Sequence, residues 1–408
     1  MPKRSSEKKR YVKTACITAA LLLCLGGFFI FLIDSLQNSG AQSASSEKFD
    51  DEKTYFLANG QLIQTPKVSA KSAILIEASS GEVIFAKNPN ERLPMASTTK
   101  IMTALVALEN YDVNATVSVS AQAVGVEGSS IYLYPEEKLT MSDLLYAMML
   151  ESANDAAAAI AIEVGGSIDG FANMMNQKAA ALGLENTHFE NPHGLDGEAH
   201  YTTARELAII ARAAYSCEKF REIVSTYKKT IPLNQTEGVR LLMNHNKLLK
   251  GYEGATGIKT GFTKKSGRCL VSAAERDGLT FIAVTLNAPD DWQDHKNMLD
   301  CGFSSLEARV LCDKGKFSYI LPAVGGDSDH VRAQNVEKIT LILPRSAHEI
   351  EYVVELPRFV YAPTSSGEVI GRLVFYLNGE IIAESKIITI FPVGKIPAKK
   401  SIRDIFKF

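Results

Sequence analysis

Between Ser142 and Ala214 the sequence is rich in Ala, Leu and Met and reads as helix, and on both sides of this block it reads as strand. Upstream, Ala73-Ile74-Leu75-Ile76, a turn at Ser79-Ser80-Gly81, and Val83-Ile84-Phe85 predict a β-hairpin. Downstream, Gly257–Thr263 and Cys269–Ala274 flank the turn-like Lys264-Lys265-Ser266-Gly267, and Phe281–Leu286 adds a third strand. Strands, a helical insert and strands again predict an α/β domain on a mostly antiparallel sheet.

The elements inside this frame have their own signals. Ile101, Leu105 and Leu108 recur at i, i+4 and i+7 behind Pro94, predicting an amphipathic helix whose first turn carries Ser97 and Lys100. Ser142 is the expected cap of a helix ending near Leu150, Ser152-Ala153-Asn154 falls at a break, and a second Ala-rich helix runs to Gly165-Gly166. Thr203 with Glu206 forms a capping box ahead of Leu207, Ile209 and Ile210. After roughly Leu311 the pattern changes to the β-branched runs Lys338–Leu343, Glu349–Leu356, Val369–Leu377 and Glu380–Ile390. With the two-residue hairpin signal Asn378-Gly379, these predict a small all-β domain. The expected division is a folded domain at 65–308 and a β domain at 309–395.

The two ends read differently. Residues 1–41 hold Lys3, Arg4, Lys8, Lys9, Arg10 and Lys13 against Glu7 and Asp34, which leaves 38 bases and 44 acids beyond them, a net of −6. An uncharged run of 19 residues, Ala15 to Ile33, follows the basic stretch and approaches the roughly 20 residues that cross a bilayer as helix. It sends the chain to a membrane, either as a signal peptide cut after Ser39-Gly40-Ala41 or as a retained anchor. In both cases the basic end stays cytoplasmic and the rest lies outside. Residues 42–64 read as a linker, and 396–408 as a basic-apolar tail able to lay Ile402, Ile405 and Phe406 on an anionic membrane.

Composition excludes several classes. With 46% apolar and 22% charged residues the chain is globular, and a formal charge of −2 gives no footprint for nucleic acid. Cys16 and Cys24 lie in the apolar run, while Cys217, Cys269, Cys301 and Cys312 contain no CxxC, and the seven histidines form no HExxH, so no metal site is expected. The last four cysteines are compatible with a disulfide in an exported protein and equally with buried free thiols.

Ser97-Thr98-Thr99-Lys100 is an SxxK pattern, shared in spacing by Ser5, Ser6, Ser45, Ser216 and Ser225. Only Ser97 opens a predicted amphipathic helix inside a folded domain. Residues i and i+3 share a helix face, so the Lys100 amine can reach the Ser97 hydroxyl. Serine needs an adjacent base to become a nucleophile, and lysine serves only if burial or nearby cations lower its pKa. Ser152 and Asn154 place a second hydroxyl and an amide at a helix junction. Lys259, Thr260 and Gly261 lie on a strand, where Lys and Thr can hold a carboxylate and Gly admits a close backbone. Lys265-Ser266-Gly267 competes for that role, but it sits in the turn itself. His193 reads as a turn residue and Trp292 as structural.

The three groups in this order resemble the SxxK, SDN and KTG set of the penicillin-recognising serine enzymes. The chain is similar to the low-molecular-mass penicillin-binding proteins that are D-alanyl-D-alanine carboxypeptidases. The stretches that carry the resemblance run from Leu93 to Thr103, Glu151 to Ala156, Asn191 to Leu195 and Gly257 to Thr263. The resemblance implies a β-lactamase/transpeptidase-like α/β domain followed by the β domain, and no cofactor. It also implies Ser97 as acylated nucleophile, Lys100 as its base, Ser152 as proton shuttle, Asn154 as a peptide ligand, and Lys259 with Thr260 on the terminal carboxylate. The backbone N–H groups of Ser97 and Phe262 would form the oxyanion hole beside Gly261. The substrate implied is a peptidoglycan stem peptide ending in D-Ala-D-Ala, with β-lactams as inhibitors, at the extracytoplasmic face of the bacterial membrane or cell wall. Two rivals are weighed against it. A serine β-lactamase needs a loop carboxylate, and Glu185 and Glu190 both lack the Asn four residues on; a non-catalytic wall-binding protein would not need the intact set.

Overall fold

The computed structural model describes residues 65–233 and 238–396. The expected leader at 1–41 with Cys16 and Cys24, the linker at 42–64 and the tail beyond Ile396 lie outside them. No helix among the described residues is long and apolar enough to cross a membrane.

Strands β1 (Ser72–Glu77) and β2 (Val83–Lys87) form the expected hairpin. A 3-10 turn, Ala96–Thr99, runs directly into α1 (Lys100–Asn110). The short pair β3 (Thr116–Ser118) and β4 (Lys138–Thr140) leads to the helical block. That block comprises α2 (Met141–Leu150), α3 (Asn154–Gly165), α4 (Ile168–Ala181), α5 (Ala204–Tyr215) and α6 (Glu218–Ser225). A hairpin of β5 (Lys228–Pro232) and β6 (Val239–Met243) precedes β7 (Ala255–Thr263), β8 (Gly267–Arg276), β9 (Leu279–Leu286) and α7 (Asp291–Ser305).

The main sheet has the order β2-β1-β9-β8-β7, antiparallel throughout. Its strands alternate between two cores. Ile74, Ile76, Ile282 and Val284 join the core under the helical block, while Ala73, Leu75, Phe281 and Ala283 join the core under α7. Both faces are dry, so these strands show continuous apolar runs instead of the apolar-polar alternation of a half-exposed sheet.

Two caps depart from expectation. Helix α2 is capped by Thr140, two residues before Ser142, because Asp143 returns the bond and completes a reciprocal box. Thr203 caps α5 through the Glu206 N–H at 3.1 Å, but the Glu206 carboxylate turns instead to the N–H groups of Glu185 and Asn186 and to the Thr187 hydroxyl.

The second part is all β, as its runs predict. It contains β10 (Leu306–Cys312), β11 (Ser318–Val324), β12 (His330–Asn335), β13 (Ile339–Pro344), β14 (Ile350–Glu355), β15 (Val360–Tyr361), β16 (Val369–Leu377) and β17 (Glu380–Thr389). Six of these form a sheet of order β14-β16-β17-β12-β11-β15, and β10 pairs with β13. Asn378 and Gly379 take φ of 52° and 83°, the left-handed pair that a two-residue hairpin turn requires. Cys217, Cys269, Cys301 and Cys312 form no disulfide.

Candidate active site

The turn that presents Ser97 is strained and tightly held. Ala96 adopts φ +47°, a left-handed conformation costly for a residue with a Cβ, and such strain persists only where the surroundings over-determine it. The Thr98 hydroxyl donates to the Met95 carbonyl at 2.6 Å and the Thr99 hydroxyl to the Ala96 carbonyl at 2.8 Å. Two glycines let other segments close on this turn. A Cβ on Gly194 would lie 1.9 Å from the Ala96 oxygen, and one on Gly261 would lie 3.0 Å from the Ser97 nitrogen. The expected helical first turn is thus a 3-10 turn, with α1 starting at Lys100.

Lys100 is wholly buried. Its Nζ donates to Ser97 Oγ at 3.0 Å, to Asn154 Oδ1 at 2.7 Å and to the His193 carbonyl at 2.6 Å, which uses all three donors of an ammonium. Burial first, and the nearby charge of Lys259 second, push its pKa well below 10.5, while Asp155 opposes them. That aspartate organises the facing loop, accepting from the Ser130 hydroxyl at 2.6 Å and the Leu133 N–H at 3.0 Å. Asn154 opens α3, and its Nδ2 donates to the Glu127 carbonyl, so both ends of its amide are engaged. His193 is a turn residue, as its sequence context suggests, and it contributes a carbonyl rather than its ring to Lys100.

Ser97, Ser129, Ser152, Thr260, Gly261 and Phe262 line a cleft of about 360 Å³. Ser152 is held at φ +60° in the break between α2 and α3. Lys259 lies behind the wall, 2% exposed, its ammonium donating to the Thr260 carbonyl at 3.1 Å; burial lowers its pKa to about 7. Lys265 donates to the Gly197 carbonyl at 3.1 Å on the β7–β8 turn and is not among the cleft-lining residues. A larger hollow of about 560 Å³ beside Arg212 and Arg221 holds none of the candidate residues.

Five further residues complete the cleft: His245, Lys247, Arg268, Asp291 and Trp292. Trp292 therefore faces the site, contrary to its sequence reading as structural. Motif spacing could not reach His245 and Lys247, which follow β6, or Trp292 at the start of α7. Arg268 carried a usable signal, because the three-residue connection Lys264–Ser266, with Thr263 paired to Gly267, fixes the register that sets it opposite Phe262.

Residues 59–290 match the family model described as D-alanyl-D-alanine carboxypeptidase, and residues 307–395 match the C-terminal domain of penicillin-binding protein 5. The chain belongs to the D-alanyl-D-alanine carboxypeptidase family. It is similar to the D-alanyl-D-alanine carboxypeptidase DacF of Bacillus subtilis, with 34% identity over 78% of this chain and 84% of that one. Its fold is similar to penicillin-binding protein 5 from Haemophilus influenzae, at a TM-score of 0.60 and 28% identity over 82% of this chain and all of that one. The Streptomyces K15 DD-transpeptidase covers 59% of this chain at a TM-score of 0.56 and 33% identity. As a serine-type D-alanyl-D-alanine carboxypeptidase the chain has the α/β domain and trailing β domain its sequence predicts, and neither the β-lactamase nor the non-catalytic reading is favoured.

Proposed function

We propose that this carboxypeptidase removes the terminal D-alanine of peptidoglycan stem peptides through an ester on Ser97, with residues 65–308 as the catalytic domain and 309–395 as its β appendage. The observation that carries the reading is the buried Lys100 Nζ at 3.0 Å from Ser97 Oγ. As the neutral amine, Lys100 takes the Ser97 proton while Oγ attacks the penultimate D-alanine carbonyl. The oxyanion is held by the N–H groups of Ser97 and Phe262. Ser152 passes the proton to the departing nitrogen, the C–N bond breaks and D-alanine leaves. Water then hydrolyses the ester and restores the serine.

Thr260 at the wall and Lys259 behind it hold the terminal carboxylate, and Arg268 and Lys247 add positive potential at the mouth. Asn154 orients Lys100 through its Oδ1, and its Nδ2, with one hydrogen on the Glu127 carbonyl, keeps a second for the peptide. A β-lactam presents its carbonyl to the same serine. Intact-mass spectrometry with penicillin should show one adduct on the peptide containing Ser97, and an adduct that persists in Ser97→Ala sinks the assignment.

The enzyme acts outside the cytoplasm, at the membrane face or in the wall, delivered by the basic-apolar N-terminal stretch and aided by the basic-apolar tail. Protease added to intact spheroplasts should then digest it, and protection until lysis would contradict this placement.

A further inference from the structure

We infer that His200 is a positioning residue for acylation, clamping the strained turn that carries Ser97 to the loop that holds Lys100; the inference rests on the acyl-enzyme reading above. The ring is 3% exposed and packs edge-on against Phe189 at 5.8 Å. Its Nδ1 lies 3.0 Å from the Glu190 nitrogen and its Nε2 lies 2.8 Å from Thr99 Oγ1. A backbone N–H can only donate, so Nδ1 must be the bare nitrogen and Nε2 must carry the proton. Nε2–H therefore donates to the Thr99 hydroxyl, leaving that hydroxyl's own hydrogen for the Ala96 carbonyl at 2.8 Å. Burial above all, with smaller contributions from His188 and Lys100, depresses the imidazole pKa to about 4, which keeps the ring in the neutral form this pattern needs.

The bonds run in one direction from loop to nucleophile. Glu190 begins a loop in which Asn191 Oδ1 accepts from the Gly194 N–H at 2.7 Å, and the His193 carbonyl accepts from Lys100 Nζ at 2.6 Å. Ala96, at the other end, is the residue with φ +47° immediately before Ser97. One nitrogen of the ring thus fixes the segment carrying the base's carbonyl partner, and the other fixes the segment carrying the nucleophile. Displacements well below 1 Å alter the Ser97–Lys100 contact, and misplacement of about 1 Å can cost about a hundredfold in rate.

The test compares His200→Phe, which keeps the ring and its packing, with Thr99→Val, which removes only the hydroxyl, and Thr99→Ser, which restores it. Stopped-flow acylation by a fluorescent penicillin separates the pre-acylation dissociation constant from the acylation rate constant, and circular dichroism confirms folding. The acylation rate constant is expected to fall about ten- to hundredfold in His200→Phe and Thr99→Val, with the dissociation constant nearly unchanged. Thr99→Ser should recover most of the loss, and the double variant should be little worse than either single one because both break one chain of bonds. If His200→Phe does not fold, Thr99→Val carries the comparison. A folded Thr99→Val that acylates at the wild-type rate, or a loss confined to the dissociation constant, overturns the inference. Absence of a Ser97 adduct in the wild type would instead overturn the acyl-enzyme reading and this inference with it.

Discussion

The charge of Lys259 disfavours a proton on Lys100, whose Nζ lies 3.0 Å from Ser97 Oγ, and both lysines are buried. This relationship addresses the main chemical objection to a lysine base, because an ordinary lysine is fully protonated at neutral pH. Burial supplies most of the shift and the second lysine adds to it, so the nucleophile's partner is a base by environment.

The same pair predicts a bell-shaped pH profile. The specificity constant for a peptide with a free D-alanine carboxylate should rise as Lys100 loses its proton and fall as Lys259 loses its charge near about pH 7. Lys259→Arg keeps its charge and should remove the falling limb. Steady-state kinetics across the neutral range decide the matter, and a falling limb retained in Lys259→Arg would assign it to another group.

Stability should respond in the opposite sense to activity. Lys259 has a folded pKa of about 7, below its ordinary 10.5, so between those values the unfolded chain binds more protons and stability rises with pH. Its burial cost is fully present below the lower value. Lys259→Met should therefore raise Tm at neutral and acid pH, by a margin that shrinks in alkali, while carboxypeptidase turnover collapses. Thermal melts at several pH values test this, and an unchanged Tm would mean the ammonium is better solvated than its burial implies.

Lys100→Arg retains the charge but cannot be deprotonated in a protein. Acylation by penicillin should slow by at least about 10², the usual contribution of a general base. A near-normal burst of acylation would reduce Lys100 to an electrostatic role.

Carboxylate recognition separates the two candidate lysines. Lys259→Ala should cost about ten- to hundredfold in specificity constant for a peptide acid, the worth of a charge-assisted hydrogen bond, and much less for its C-terminal amide. Lys265→Ala should leave the acid-to-amide preference intact, since that side chain is spent on the Gly197 carbonyl. The reverse pattern would move the carboxylate site to the turn.

What could be read in advance follows the range over which each signal acts. The hairpins of β1 with β2 and β16 with β17 were legible because turn residues and β-branched runs are local, and the pairings of Ser97 with Lys100 and of Ser152 with Asn154 were open to proposal because each pair lies within one short motif. Strands β10, β11 and β12 were not, because β10 and β11 leave the apolar Val310 and Ile320 exposed and four of the six residues of β12 are polar. The cap of α2 moved from Ser142 to Thr140 because only Thr140 has Asp143 at the reciprocal position. The partners of Lys100 and the clamp at His200 depend on contacts 54 to 101 residues apart, including a backbone carbonyl that has no sequence signature at all.

Strand β7 ends the main sheet, and Gly261 on it lies against the Ser97 amide. A terminal strand offers a row of backbone donors and acceptors without a neighbouring strand in the sheet. An extended peptide laid along that margin would be read as a sixth strand, by direction and step rather than by the character of its side chains. Slipping by one residue would turn every side chain to the opposite face and bring a different bond to the serine. Choice of the last peptide bond then becomes a matter of counting from the chain's end, which makes the enzyme a ruler as much as a blade.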